Sequence, residues 1–184
     1  MSTAALFPEG TFEEYLAAEA VSEIRHEWVA GRVYAMAGAG ERHELMAALL
    51  FRALDPIAAA CGCRLFIDNR KIRLEDVVYY PDVLMVCLGG RQPDRLSERD
   101  LSVVVEVLSD STQRVDRREK APAYAAAPSF ERYLLVDPER RWIEVATPGP
   151  KGLHWPVYVG GQVIPDLDID LDALYDALEA TALT

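Results

Sequence analysis

The spacing of hydrophobic and polar positions changes period several times along the chain, and each change predicts a new element. Thr11 and Glu14 have capping-box spacing, and Phe12, Tyr15, Leu16 and Glu19 give amphipathic character to a helix running to Ala20. His26 to Met36 alternates loosely about Ala30-Gly31, the pattern of a β-hairpin with a tight turn, and Glu27 lies on its first strand. From Glu41 to Ala60, Leu45, Ala48, Leu49, Leu54 and Ile57 recur at helical spacing before Gly62. This predicts the longest helix, with His43 in its first turn.

Arg64 to Asp68 and Lys71 to Leu74 are two short predicted strands flanking Asn69-Arg70. Two apolar strands follow, Tyr79 to Val86 and Leu101 to Leu108, separated by a turn-rich loop from Gly89 to Asp94. The near-continuous apolar run from Val103 to Leu108 predicts a central strand covered on both faces. Ser109, Asp110, Ser111 and Thr112 offer N-caps for a helix through Lys120 toward Ala127, which Pro122 is expected to kink or end early. Glu131 to Asp137 with Arg141 to Ala146 predicts a hairpin, as does Trp155 to Val159 with Gln162 to Ile164 about Gly160-Gly161. A last helix is expected from Leu171 to Ala180. This order predicts one α/β domain over residues 1–184 with a mixed sheet.

Composition narrows the function classes. The 184 residues are 51% hydrophobic and 27% charged, an ordinary globular balance. No apolar run approaches the ~18 residues of a membrane span. The N-terminus lacks a basic region followed by an apolar one, so no signal peptide is expected and the protein is read as cytoplasmic. Cys61, Cys63 and Cys87 are odd in number, and Cys61-Gly62-Cys63 is too closely spaced for a zinc knuckle, so free thiols are expected. The net charge of −11 weighs against a protein that rides on nucleic-acid backbones. The charge is unevenly spread. Arg114 to Arg141 carries seven basic against five acidic residues, whereas Asp166, Asp168, Asp170, Asp172, Asp176 and Glu179 have no basic residue among them. That acidic stretch is most simply a solvated face with helix-start chemistry.

Candidate chemistry centres on Asp82 and Glu106, each placed within an apolar strand. A carboxylate in such a run is costly to bury without compensation. On neighbouring strands the two would reach one sheet face, where like charges ~4 Å apart repel by about 4 kcal/mol unless a cation or proton lies between them. Oxygen-only donors suit Mg²⁺ or Mn²⁺ rather than zinc, and such an ion lowers the pKa of a bound water. Lys120 could orient that water or neutralise charge in a phosphoryl transition state.

At these residues the chain resembles the Uma-type restriction endonuclease family of the PD-(D/E)xK nuclease superfamily. The resemblance runs through His26-Glu27-Trp28-Val29-Ala30-Gly31, His43, Pro81-Asp82-Val83 and Val105-Glu106-Val107-Leu108-Ser109-Asp110-Ser111-Thr112. It continues through Asp116, Lys120 and Tyr124 to Glu131-Arg132-Tyr133-Leu134-Leu135-Val136-Asp137. It implies a restriction endonuclease-like core, a mixed β-sheet flanked by helices, and metal-dependent hydrolysis of DNA. Carried over by position, Asp82 and Glu106 match the two metal-binding acids, and Glu27 an additional acid of the metal shell. His43 would line the same pocket. The superfamily's lysine usually stands two residues after the second acid, where this chain has Leu108; Lys120 matches a lysine relocated to the next helix. A homodimer is expected, because strands such as Trp155 to Val159 offer edges and duplex cleavage benefits from two sites. Two other readings stay open: a nuclease-fold protein that binds or assembles without cutting, and a metal hydrolase of a small phosphoester, which needs no basic groove.

Overall fold

In a computed structural model the described residues are 11–36, 38–68, 70–87, 89, 99–109 and 115–182. Helix α1 (Phe12–Glu19) starts with the predicted capping box: Thr11 Oγ1 accepts from the Glu14 amide, and the Glu14 carboxylate accepts from the Thr11 amide at 2.7 Å. Strands β1 (His26–Val29) and β2 (Arg32–Ala35) form the predicted hairpin, with Ala30 and Gly31 both at positive φ. Helix α2 covers Glu41–Ala60, as its spacing predicts.

The two apolar strands carrying the acids need one adjustment. The first run divides at Tyr80-Pro81-Asp82 into β5 (Val77–Tyr79) and β6 (Val83–Cys87), which join different sheets. A small antiparallel sheet has the order β2-β1-β5-β4, where β4 is Ile72–Leu74. The large sheet runs β10-β9-β8-β7-β6-β3, with β11 also on β9. Its strands are β3 (Cys63–Ile67), β7 (Val103–Val107), β8 (Arg132–Asp137), β9 (Trp142–Gly149), β10 (Gly152–His154) and β11 (Val157–Val159). Among the described residues only β7 and β8 pair in parallel, which makes the sheet mixed as expected. Strand β7 is buried at every position, as expected for a central strand.

Alternation along these strands supplies two cores. Val83, Met85, Val103, Val105, Leu134, Val136 and Val145 pack toward α2 and the C-terminal helix α4 (Leu171–Ala182). Leu84, Val86, Val104, Tyr133 and Leu135 face the other way, toward Tyr79 and Ile72 of the small sheet and toward helix α3 (Ala121–Ala125). Helix α1 covers the small sheet through Tyr15, Trp28, Val33, Val78 and Tyr80.

Two expectations are corrected, and the irregularity expected at Pro122 is present. Trp155 to Val159 does not pair with Gln162 to Ile164: β11 joins β9, and β12 (Val163–Ile164) pairs with β13 (Ile169–Asp170). The Gly160-Gly161 turn is present, but the long β9 provides a buried partner that the neighbouring strand cannot match. The helix carrying Pro122 is irregular and ends at Ala125, short of the expected Ala127. A π-helical turn at Asp116–Lys120 leads directly into α3, and the Ala121 amide donates to the Asp116 carbonyl. The proline's missing N–H therefore falls where the hydrogen-bond register changes. Cys63 and Cys87 are not free thiols; they face each other in the β3–β6 register, Cα atoms 4.0 Å apart, and form a disulfide, leaving Cys61 free and exposed. The N-cap candidates Asp110, Ser111 and Thr112 and most of the Gly89 to Asp94 loop lie outside the described residues. Among the described residues no helix is long and apolar enough to cross a membrane.

Candidate active site

The β6–β7 ladder pairs Met85 with Val103, Leu84 with Val104 and Val83 with Val105. One step further, the same register sets Asp82 opposite Glu106. No backbone ladder continues there. Instead the Asp82 carboxylate accepts from the Val107 amide at 2.6 Å, so a side chain takes over the next rung. The Val107 carbonyl accepts from His43 Nε2 at 2.9 Å, which requires the proton on Nε2, and the same nitrogen lies 3.3 Å from Asp82 Oδ2. His43 reaches this point from the first turn of α2. Burial alone would lower its pKa, but Asp82 and the Val107 carbonyl outweigh it and hold the imidazole above its ordinary value. Asp68 joins the same corner, with its amide donating to the Asp82 carbonyl at 3.0 Å and its own φ at 55°. Burial and the Asp82 charge raise the Asp68 carboxyl.

Glu106 itself lies in a buried cluster of charged and polar side chains. Glu106 is 5% exposed, and its Oε1 accepts from Lys120 Nζ at 3.1 Å and from the Tyr124 hydroxyl at 2.9 Å. The same ammonium sits 3.0 Å from Glu27 Oε1 and 3.4 Å from Asp116 Oδ1, and 5.5 Å from the centre of the Tyr79 ring. Strand β1 brings Glu27, β7 brings Glu106, and the π turn brings Asp116 and Lys120. Burial would lower the Lys120 pKa, but Glu106, Glu27 and Asp116 raise it, so the ammonium stays charged. Burial raises Glu106 well above the usual carboxylate range; Lys120 opposes this, and Asp116, Asp82 and Glu27 reinforce it. One ammonium among three carboxylates leaves an excess of negative charge in this cluster.

All five sequence candidates thus fall into two adjoining groups: Asp82 with His43, and Glu106 with Lys120 and Glu27. Asp116 is among the residues carrying the family resemblance, and its carboxylate meets Lys120 four residues later. Tyr124 is among the residues carrying the family resemblance, but its hydrogen bond to Glu106 has no sequence signal. Asp68 and Tyr79 are additions from the structure, because Asp68 directly follows β3 and Tyr79 ends β5, strands whose partners cannot be read from local spacing.

The arrangement has the fold of a nuclease-like α/β domain. A crystal structure described as a putative nuclease belonging to DUF820, from Anabaena variabilis, superposes with a TM-score of 0.74 at 15% identity, covering 92% of this chain and 99% of that one. The chain belongs to the Uma2 family, described as a putative restriction endonuclease family, whose model matches residues 12–171. An uncharacterized Synechocystis protein, slr1290, is 34% identical over 140 residues, 73% of this chain and 72% of that protein. A second, sll1609, is 26% identical over 131 residues, covering 69% and 74%.

Proposed function

We propose that the chain is a divalent-metal-dependent endonuclease that hydrolyses DNA phosphodiester bonds with an activated water. The observation that carries this reading is the buried Lys120 ammonium, 3.1 Å from Glu106 on the strand beside Asp82. An acid pair and a charged amine on adjoining sheet positions are the groups that phosphodiester hydrolysis needs. Family membership supports the same reaction class.

The donor set suits Mg²⁺ or Mn²⁺. Among the described residues no group of three or more His, Cys, Asp or Glu is arranged as a protein cage for a metal. Magnesium needs no such cage, because it is commonly held by one or two carboxylates, with water and substrate phosphate completing its shell. Asp82 and Glu106 would hold it. When bound, the ion supplies a water of lowered pKa and offsets charge on the phosphoryl oxygens. Lys120 stabilises negative charge developing beside Glu106. Glu27 keeps the Lys120 ammonium aimed at Glu106, which favours its acting near the ion through water rather than as a direct ligand. His43 holds Asp82 against the Val107 peptide.

Supercoiled-plasmid nicking with Mg²⁺ or Mn²⁺, run beside small phosphodiesters, tests the proposal. The parent should nick DNA, and Asp82→Asn and Glu106→Gln should each reduce the rate at least about a hundredfold with folding retained. A variant cutting as fast as the parent would sink the assignment. The binding-protein alternative has one specific observation in its favour: Lys120 compensates Glu106 and Glu27 with no ion required. Mn²⁺ binding by calorimetry without turnover of any nucleic acid would select it. Turnover of small phosphodiesters alone would select the phosphoesterase.

A further inference from the structure

A second buried polar network lies behind the site, on the small sheet. Glu19, the last residue of α1, is 6% exposed, yet its carboxylate receives three contacts. Oε1 accepts from the His26 amide at 3.1 Å and from the Tyr80 hydroxyl at 3.0 Å, and Oε2 lies 2.9 Å from His26 Nδ1. The Tyr15 hydroxyl donates to the His26 carbonyl at 2.7 Å. His26 and Tyr80 are also buried. His26 is thereby held at its amide, its carbonyl and its ring. The next residue is Glu27, which meets Lys120. Tyr80 stands two residues before Asp82 in the segment where the chain passes from the small sheet to the large one.

We infer that Glu19 is a positioning residue for the active site, fixing Glu27 against Lys120 through His26 and anchoring the approach to Asp82 through Tyr80. The physical reason is geometric. Glu27 sits on a four-residue strand whose sheet differs from the one carrying Glu106, so no shared backbone ladder sets the distance between them. Something other than sheet register must hold β1 in place. A carboxylate satisfying three buried donors does so stiffly, because moving β1 would strand those donors without partners. Apolar packing of Trp28 and Val33 under α1 supplies attraction, but it tolerates small slides that hydrogen bonds do not.

This inference rests on the catalytic reading of Lys120, but its test does not depend on turnover. The lysines are Lys71, Lys120 and Lys151, and Lys120 is 7% exposed at its side chain. In protein labelled with ¹⁵N-lysine, the buried Lys120 ammonium should give a slowly exchanging signal. Glu19→Ala should speed its proton exchange at least about tenfold at temperatures where the variant is folded. Glu19→Gln should stay near the parent, since the amide oxygen can accept from the His26 amide and the Tyr80 hydroxyl while its NH₂ donates to Nδ1 of the other imidazole tautomer. Val33→Ala, which loosens the same apolar cluster without touching the network, should leave the Lys120 signal unchanged. If Glu19→Ala leaves the signal unchanged, or if Val33→Ala shifts it as much, Glu19 is a structural pin only and the inference is overturned. Should Glu19→Ala fail to fold, Tyr80→Phe, which removes one donor, decides by the same criterion. In plasmid nicking, Glu19→Ala should lower kcat more than it raises KM. A parent that does not nick DNA overturns the nuclease reading, while the Lys120 signal still decides the role of Glu19.

Discussion

Glu106 on β7 and Asp82, one residue before β6, occupy facing positions, yet the molecule stabilises them by different means. Glu106 is enclosed by Lys120, Tyr124 and the small sheet, so its charge is offset by a buried cation and a hydroxyl. Asp82 stands at the end of the β6–β7 ladder, 14% exposed at its side chain, and is held by a backbone amide and an imidazole. Burial explains the difference. In the dry pocket only a formal charge compensates a carboxylate, whereas at the rim dipoles and water suffice. The two halves should therefore respond differently to substitution, the enclosed half in stability and the rim half in pH response.

The largest stability loss is expected at Lys120. Lys120→Met removes the cation shared by Glu27, Glu106 and Asp116, and breaking a buried pair in this way costs about 3–5 kcal/mol. Urea denaturation reads that loss directly; a change under about 1 kcal/mol would mean that the pocket is wetter than its geometry indicates. Activity should fall with it in Mg²⁺-dependent nicking.

A smaller effect is expected at Tyr124→Phe. It deletes one hydrogen bond to Glu106 from a fully buried ring, at about 1–2 kcal/mol, while Lys120 keeps Glu106 compensated. If Tyr124→Phe cost as much as Lys120→Met, the hydroxyl rather than the ammonium would be the main compensator.

The smallest effect belongs to His43, and it sharpens the contrast through pH. The folded-state pKa of His43 is raised, so its contribution to stability is fully present below the ordinary value of about 6.5 and is lost as pH rises through the higher folded value. His43→Gln should flatten the fall of stability with pH across that window in denaturation curves of metal-free protein. An unchanged slope would show that Asp82 does not favour the charged imidazole.

Much of the site was legible because its residues carry local signals: Asp82 after Pro81, and Glu106 inside a valine run. The capping box of α1, the Ala30-Gly31 turn and the span of α2 are equally local, and all form where their residues place them. What escaped local reading depended on competition between distant partners. The Gly160-Gly161 turn formed, yet its flanks chose β9 and β13 over each other. Cys63 and Cys87 looked like unrelated thiols until β3 and β6 paired and set them opposite each other.

By itself the sequence determined the periodicity of the elements and the presence of two acids too costly to bury alone, since both follow from the chemistry of neighbouring residues. The tertiary structure decided which cation answers which acid. Lys120 reaches Glu106 from the last position of a π turn, and Glu27 reaches Lys120 because the small sheet packs over the large one. Those meetings join residues from separate elements, and only packing sets the distances between them.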